Sequence, residues 1–422
     1  MLGRLVEAGG EGLRVRRLGA DRAGEIRLTR FLRNRSVIPD EMVREAAVRT
    51  GLRCAGRHVL AIQDTTVVRS KGGGGLYLHP VLAVDAEDGG ILGLTGACFL
   101  KRTQGKKAAR RAKPVKDKES QRWLDGAEQS ARVCEAAARL TVIADRESDI
   151  FAAFALRPAG CDLLVRAAHD RALEDGGRLF ARIDALPVAG RAELDLPAKV
   201  GRKARVAQVA VRFMRAQIAR PRNAVADGLP AGVAMTVVDV REVDPPAGEG
   251  AVHWRLLTTH QVSDAEQAFA VAGLYRRRWA IEQLFRTMKT KGFDIEGILI
   301  EDEAPLSRLV MATLIAAVAI QQLVHARDGA GGQTPPRPMT DAFEPEDQPL
   351  LDAFTAKLEG KTERQKNPHP KGSLPYGAWV CARLGGWTGY YGKPGPIVML
   401  QGWRQFQAAK HGVATMARHH DV

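Results

Sequence analysis

Residues 140–145 read Leu-Thr-Val-Ile-Ala-Asp, a short apolar run that ends in a carboxylate. Residues 58–64, His-Val-Leu-Ala-Ile-Gln-Asp, repeat this pattern earlier in the chain. Short apolar runs of this kind are typical of buried strands. Ligands of open α/β sheets collect at the carboxyl ends of strands, so Asp64 and Asp145 are predicted to converge there. For either acid taken alone, a turn or N-cap residue is the alternative.

The flanking sequence extends these runs into an α/β fold. Residues 76–85 and 91–100 are predicted to form a hairpin around Glu-Asp-Gly-Gly at 87–90. The further predicted elements are a helix at about 119–137, the strand at 140–145, a helix from about 149 and a strand at 162–166. Between about 168 and 262, short alternating segments with Pro and Gly punctuation indicate a β-rich insertion.

A third carboxylate lies in a helix predicted over about 264–291. Ser263 with Glu266 has the pattern of a capping box, and Gly292 offers a left-handed stop. Four residues share an arc of about 60° on an ideal helix, with Arg286 beside them. They are Tyr275, Arg278, Glu282 and Lys289. The alternative is a solvated basic face whose one Glu forms salt bridges.

Three carboxylates next to phosphate-binding cations suit metal-dependent phosphodiester chemistry. Mg²⁺ prefers hard oxygen ligands and keeps positions open for water and phosphate oxygens. Two such ions about 4 Å apart can activate the attacking oxygen and stabilise the leaving oxygen of an in-line displacement. Asp64, Asp145 and Glu282 are therefore the candidate catalytic and metal-binding residues.

Composition indicates an acidic polymer as partner. The chain has 422 residues, with 63 Lys and Arg against 48 Asp and Glu, and a net charge of +15. DNA fits this charge best. A membrane surface is the weaker alternative, because we find no signal peptide and expect no segment long enough to span a bilayer. The longest apolar run, at 309–320, is expected inside a core helix of about 302–327. Residues 101–118 carry nine cations and are predicted to form a basic loop.

The cysteine and glycine patterns exclude several other classes of site. Five cysteines without paired spacing read as reduced residues of a cytosolic protein, rather than disulfides or zinc ligands. The glycines at 72–75 are not followed by the Gly-Lys-Ser/Thr of a phosphate loop, so no nucleotide cofactor is expected.

Taken together, these motifs resemble those of the Asp-Asp-Glu cut-and-paste insertion-sequence transposases. The most specific match is Tyr275, Arg278, Glu282 and Lys289, spaced as in the Tyr-Arg-Glu-Lys signature group that includes the transposase of the bacterial kanamycin-resistance composite transposon. Residues 145–150, Asp-Arg-Glu-Ser-Asp-Ile, are similar to the group's second-aspartate motif. Residues 61–66, Ala-Ile-Gln-Asp-Thr-Thr, are similar to its first. The resemblance extends over most of the chain, from about residue 25 onward.

The resemblance implies a ribonuclease H-like catalytic core interrupted by the β-rich insertion. Asp64, Asp145 and Glu282 would hold Mg²⁺, for which Mn²⁺ could substitute. Six residues would contact DNA: Tyr275, Arg278, Lys289, Arg286, Arg166 and Trp254. Among them, Trp254 would stack on a base flipped from the transposon end, which offsets part of the cost of unstacking and unpairing that base. The alternative for Trp254 is a half-buried strand residue.

The resemblance also divides the chain into five parts. They are 1–50, a partial N-terminal DNA-binding region; 51–167, the first part of the core; 168–262, the β-rich insertion; 263–327, the second part of the core with the Glu282 helix; and 328–422, a linker and C-terminal dimerisation unit. The implied partners are the double-stranded DNA of transposon ends and target, bound by a homodimer in a synaptic complex. The implied location is the bacterial cytoplasm, on the nucleoid when DNA is bound.

The implied activity is metal-dependent excision of a transposable element and strand transfer into target DNA. Two other classes remain open at this point. One is a truncated, non-catalytic DNA-binding copy that inhibits a full-length transposase. The other is a stand-alone metal-dependent nuclease, which would cut DNA without joining it.

Overall fold

The computed structural model describes residues 18, 22–69, 75–100, 119–197, 203–221, 229–290, 292–298, 300–327 and 336–420, without the side chains of 417–420. The predicted basic loop at 101–118 and most of the glycine stretch at 72–75 lie outside the described residues. The chain divides into two compact units. The first consists of Met1–Ala55, Thr65–Lys101 and Ala280–Val422, and the second of Gly56–Asp64 and Arg102–Trp279.

The elements are numbered here in chain order. The helices are α1 (Arg22–Arg33), α2 (Pro39–Cys54), α3 (Gln121–Val133), α4 (Phe151–Ala155), α5 (Leu179–Asp184), α6 (Ala265–Arg276), α7 (Trp279–Met288), α8 (Glu303–Ala326), α9 (Gln348–Leu358), α10 (Leu374–Leu384) and α11 (Pro396–His420). The strands are β1 (His58–Gln63), β2 (Thr66–Arg69), β3 (Gly75–Asp85), β4 (Ile91–Leu100), β5 (Arg139–Ala144), β6 (Cys161–Arg166), β7 (Gly190–Leu196), β8 (Arg205–Ala219), β9 (Gly232–Glu242) and β10 (His253–Thr258).

The second unit contains a mixed sheet in the order β1-β5-β6-β10-β9-β8-β7. Strands β1, β5 and β6 are parallel, and the remaining pairs are antiparallel. Gln63 pairs with Ala144 in the register of β1 and β5. Asp64 and Asp145 therefore follow paired residues and leave the sheet at the same edge, as the sequence predicts.

Buried apolar side chains form the centre of this sheet. Val59, Leu60 and Ile62 of β1 are fully buried, which explains why the strand reads as a continuous apolar run. Trp123 and Leu124 of α3 pack against the end of β5 and against α4, in a cluster that includes Ala144, Ala153 and Ile150. Helix α6 packs on β8 and β9.

A polar relay closes the opposite edge of the parallel strands. Arg139 donates from Nη2 to Nδ1 of His260 (2.8 Å), because a guanidinium can only donate. His260 is therefore the neutral Nε2–H tautomer, which donates to Oγ1 of Thr141 (2.9 Å), whose hydroxyl lies 2.9 Å from Nε2 of His58. Burial is the main cause that lowers the pKa of His260 to about 4, and the charge of Arg139 contributes to the same shift.

The first unit combines the antiparallel strands β2, β3 and β4 with long helices. The hairpin of β3 and β4 is confirmed, and its turn is closed by Asp85 and Asp88, whose carboxylates accept the N–H groups of Glu87 (3.0 Å) and Gly90 (2.6 Å). Helix α8 confirms the core helix expected at about 302–327 and packs on β4 and on four other helices, α1, α2, α10 and α11.

Helix α8 corrects one expectation from the sequence. It is long and apolar enough to cross a membrane by length and composition, and 78% of its apolar window is buried inside the protein. Core helices of soluble proteins meet the same test, so this single helix among the described residues is weak evidence for a membrane span.

The helix predicted over about 264–291 begins where expected, but the prediction is wrong in its continuity and in its C-terminal end. It consists of α6 and α7, separated by a turn at Arg277 and Arg278, whose N–H groups bond three residues back to Leu274 and Tyr275 (3.1 and 3.0 Å). Arginine is a good helix former, so local propensity does not signal this break. The predicted polar arc assumed one continuous helix.

The caps of the two helices also differ from the prediction. The N-cap of α6 is Asp264, which accepts the N–H of Gln267 (2.8 Å), one residue later than the predicted Ser263 box. Helix α7 ends at Met288. Asp294 adopts the left-handed conformation (φ 49°), whereas Gly292 does not.

Candidate functional site

Asp64 directly follows strand β1 and is positioned by its neighbour in the chain. Gln63 is buried and donates from Nε2 to the main-chain oxygen of Trp123 (3.2 Å) in α3. This bond fixes the end of β1 against the helix. The carboxylate of Asp64 remains partly exposed and accepts Nη1 of Arg278 at 3.2 Å.

Asp145 directly follows strand β5 and caps the 3₁₀ turn Arg146–Ser148. Its Oδ1 accepts the N–H of Arg146 (2.8 Å) and the hydroxyl of Tyr275 (3.2 Å). A carboxylate that caps the turn it begins has little rotational freedom. One donor is thus local in sequence, and the other comes from α6.

Arg278 connects the two aspartates. Its Nη1 lies 3.2 Å from Oδ2 of Asp64, and its Nη2 lies 3.9 Å from Oδ2 of Asp145. The planar guanidinium presents several donors in a fixed geometry, so it can face two carboxylates at once. Asp64 and Asp145 therefore share one cation within the second unit, and the turn between α6 and α7 delivers it.

Tyr275 supplies a neutral donor to the same edge. Its side chain is only 4% exposed, and burial together with the charge of Asp145 raises the pKa of its hydroxyl to about 12. The phenol is therefore protonated at neutral pH and donates to Asp145. Trp254 lies edge-on to the Tyr275 ring, with the centroids 5.9 Å apart and an angle of 62°.

Trp254 is a half-buried residue of β10, opposite Val240 of β9. Its environment is compatible both with stacking on a base and with a packing role, so stacking remains a prediction. Arg166 ends β6 and is partly exposed; its Nη2 donates to the main-chain oxygen of His253 (3.0 Å), next to Trp254.

The remaining predicted residues belong to the first unit. Glu282 is a partly exposed residue of α7, and Arg286 is exposed one turn later. Lys289 follows the end of α7; its Nζ donates to the main-chain oxygen of Val67 (2.8 Å) and lies 3.2 Å from Oε1 of Glu296. These contacts hold the ammonium against β2 and the 3₁₀ turn Ile295–Gly297.

The carboxylate oxygens of the second unit suit a metal cation as ligands. Asp64 and Asp145 offer hard carboxylate oxygens and already share a guanidinium, and Mg²⁺ prefers ligands of this type. Within the described ranges, no group of three or more His, Cys, Asp or Glu side chains is arranged to hold a metal ion. The three-carboxylate metal site remains a prediction.

Asp149, for which the sequence predicts no role, follows this edge of the sheet closely in the chain. It follows Asp145 by four residues and is buried against Arg171. A polar residue before the apolar run 150–154 reads as a helix cap, and the sequence contains no sign that its partner lies in the segment after β6. Only the fold brings the two residues together.

Part of the chain matches a known protein family. Residues 119–319, a little under half of the chain, match a family model described as the transposase DDE domain. The matched range contains Asp145, Tyr275, Arg278 and Glu282, and Asp64 lies before it. The chain therefore carries a region similar to the transposase DDE domain, which supports a place in the DDE transposase family and a transposase function in general.

Proposed function

We propose that this protein is a DNA transposase of the Tyr-Arg-Glu-Lys group, which excises a transposable element and joins its 3′-ends to target DNA. Both reactions are in-line displacements at phosphorus, one by water and one by a DNA hydroxyl. The observation that carries the proposal is the pair of strand-end aspartates sharing one guanidinium, in a chain that matches the transposase DDE domain. A ribonuclease H-like core would account for the strand and helix order.

The proposed roles follow from the chemistry of the side chains. Asp64, Asp145 and Glu282 would hold Mg²⁺, or Mn²⁺ in its place. When bound, the metal supplies charge that activates the attacking oxygen and stabilises the leaving oxygen. Tyr275 keeps its proton and donates it in a hydrogen bond, which steadies Asp145 without adding charge.

Cations and an aromatic side chain would hold the DNA. Arg278 and Lys289 would bind the phosphates beside the cleaved bond, because a guanidinium and an ammonium form charge-assisted hydrogen bonds with phosphate oxygens. Arg166 and Arg286 would bind phosphates further along the duplex, and Trp254 would stack on a flipped base. The net charge of +15 supports a double-stranded DNA partner.

The assembly and its location belong to the same proposal. A homodimer would pair two transposon ends in a synaptic complex, with residues 328–422 as the dimerisation unit and residues 1–50 as part of the DNA-binding region. The β-rich insertion at 168–262 would separate the two parts of the core, 51–167 and 263–327. The protein would act in the bacterial cytoplasm on nucleoid DNA, without a nucleotide cofactor.

A joining assay with matched variants tests the activity. The purified protein is mixed with Mg²⁺, a supercoiled target plasmid and pre-cut DNA ends from the flanks of its own gene. Glu282→Gln removes one proposed metal ligand, and Glu266→Gln is the control, since it removes the same charge from an exposed site on α6. We expect joined products from the wild type and from Glu266→Gln, and none from Glu282→Gln, which keeps its DNA affinity.

The other outcomes separate the competing functions. DNA binding without cutting or joining would favour the non-catalytic inhibitor. Cutting without joining would favour the stand-alone nuclease. Mg²⁺-dependent joining by Glu282→Gln would contradict the assignment of the third acid.

A further inference from the structure

The carboxylate of Asp149 is completely buried and surrounded by donors. Its Oδ2 accepts the backbone N–H groups of Ala168 (2.7 Å) and His169 (2.9 Å). Its Oδ1 accepts Nε of Arg171 (2.7 Å) and also Nη2 of the same guanidinium. Both oxygens are thus occupied, one by backbone and one by a cation.

Arg171 is held as firmly as the carboxylate. Its Nη2 also donates to the main-chain oxygen of Asp149 (2.5 Å), so the guanidinium binds both the side chain and the backbone of one residue. The guanidinium carbon lies 5.2 Å from the ring centre of Phe154 in α4. Arg171 is itself buried, so its charge depends on this carboxylate for compensation.

These bonds join two neighbouring strand exits. Strands β5 and β6 are parallel and Ala144 pairs with Val165, so Asp145 and Arg166 follow paired residues at the same edge of the sheet. Asp149 lies at the end of the turn that begins at Asp145, and its partners at 168, 169 and 171 lie just after Arg166. The N–H of Ala167 also bonds to the main-chain oxygen of Arg255 (2.8 Å), the residue after Trp254.

We propose that Asp149 is a positioning residue, which fixes the Asp145 turn relative to the segment that carries Arg166. It acts through Arg171 and the two backbone amides, and it contacts neither DNA nor metal itself. This inference rests on the proposed function, in which Asp145 is a catalytic acid and Arg166 holds DNA. A small displacement of such groups is expensive, since about 1 Å can cost about 100-fold in rate.

A carboxylate is required at this position because all of its partners are donors. Asparagine has the same shape but offers one acceptor oxygen and one N–H₂ group. In Asp149→Asn, the N–H₂ group would oppose either the amide pair of 168–169 or the guanidinium of Arg171. Either the two amides or the guanidinium would lose its buried acceptor. The Asp145 turn and the segment after Arg166 would then separate.

A stability-matched comparison distinguishes positioning from general support of the fold. The control is Glu242→Gln in β9, because Glu242 is also a buried carboxylate that pairs with an arginine, Arg205, and accepts a backbone N–H, that of Val252 (2.9 Å). The second variant is Asp149→Asn with Arg171→Gln, which removes the buried unpaired cation. Each protein is measured for melting temperature, DNA dissociation constant and maximal joining rate on pre-cut ends.

We expect Asp149→Asn to lower the maximal joining rate about 10- to 100-fold, while the DNA dissociation constant changes less than about threefold. Glu242→Gln should lose a similar amount of melting temperature and keep a joining rate within about threefold of wild type. The double variant should recover melting temperature without recovering rate. A rate that follows melting temperature across all three variants would overturn the proposal.

Amide hydrogen exchange tests the inference even when the wild type joins no DNA, an outcome that would contradict only the proposed function. Asp149→Asn should then speed exchange in residues 145–150 and 166–171 together, whereas Glu242→Gln should leave both segments protected. Faster exchange in one segment alone would show that Asp149 does not couple the two strand exits.

Discussion

Replacing Arg278 with methionine is expected to strengthen metal binding by the DNA-free protein. The guanidinium lies between Asp64 and Asp145, the two carboxylates that would hold a divalent ion. A metal ion must therefore displace Arg278 before it can use both acids. Methionine is of similar length and carries no charge, so it removes this competition without opening a large cavity.

The size of the effect follows from the burial of the three groups. Arg278 is 12% exposed, Asp64 27% and Asp145 33%, so the contacts are neither fully exposed nor fully buried. A hydrogen bond to a charged group contributes about 1.5–3 kcal/mol, and an exposed ion pair contributes about 0–1 kcal/mol. We take about 2 kcal/mol for the 3.2 Å contact with Asp64 and little for the 3.9 Å contact with Asp145, which corresponds to about 30-fold in affinity.

Electron paramagnetic resonance of Mn²⁺ measures this affinity directly, because only the free ion gives the sharp signal and bound Mn²⁺ no longer contributes to it. The titration uses protein without DNA, so catalysis is not required. Arg278→Lys is the control, since it keeps a cation there, and its Mn²⁺ affinity should stay near that of the wild type. Adding Asp64→Asn to Arg278→Met should abolish the gain.

Two results would refute this reasoning. An unchanged or weaker Mn²⁺ affinity in Arg278→Met would show that the guanidinium does not compete with the metal. A gain that survives Asp64→Asn would place the new binding elsewhere in the protein.

Two further predictions concern the sheet. Burial lowers the pKa of His260 from 6.5 to about 4, so the unfolded chain takes up this proton first and stability is lost as the pH falls from about 6.5 toward 4. Between pH 7 and 5.5 the free energy of unfolding, measured with urea, should fall by about 1 kcal/mol. This loss should disappear in His260→Gln, whose side chain keeps one acceptor and one donor. An equal dependence of the free energy of unfolding on pH in both proteins would contradict the prediction. Trp254→Ala should slow the cleavage of fully paired transposon ends about tenfold. Cleavage of ends whose terminal bases are already unpaired should slow less, because stacking then has a smaller unstacking and unpairing cost to offset. Trp254→Phe, which keeps an aromatic ring, should cleave at a rate between those of the wild type and Trp254→Ala. An equal loss of cleavage rate on both substrates would indicate a packing role.

The elements that the sequence predicted well are those whose signals are local. Strands β1 and β5 are apolar runs bounded by polar residues, and the hairpin of β3 and β4 has a turn rich in Asp and Gly. The apolar run at 309–320 led directly to α8. In each case, the residues that decide the structure lie next to one another in the chain.

The break between α6 and α7 was missed because its cause lies elsewhere in the chain. Three successive arginines favour helix by propensity, and a continuous helix keeps Arg278 on a shared polar face. Arg278 instead lies in a turn and faces Asp64, which is more than two hundred residues earlier in sequence. Only the tertiary position of Asp64 and Asp145 distinguishes a turn from a helix at Arg278.

The enclosure of Asp149 was equally invisible. Both acids stand in the run Asp-Arg-Glu-Ser-Asp, and the end of the apolar run selected Asp145 as the candidate ligand without indicating the partners of Asp149. The structure separates them by their partners, since Asp145 accepts from Tyr275 and lies near Arg278, whereas Asp149 is enclosed by Arg171 and two amides. Tertiary packing therefore encloses Asp149 and leaves Asp145 accessible to a ligand.

The position of Arg278 links metal binding to DNA binding. A phosphate would draw the guanidinium away from Asp64 and Asp145, because the same donors serve either phosphate or carboxylate. DNA would thereby free both acids for the metal, and linkage requires that metal strengthen DNA binding by the same factor. We expect this factor to fall toward one in Arg278→Met, which has no guanidinium to transfer. Mn²⁺ affinities with and without DNA, in wild type and variant, measure it, and a factor that persists in the variant would mean that the coupling does not pass through Arg278.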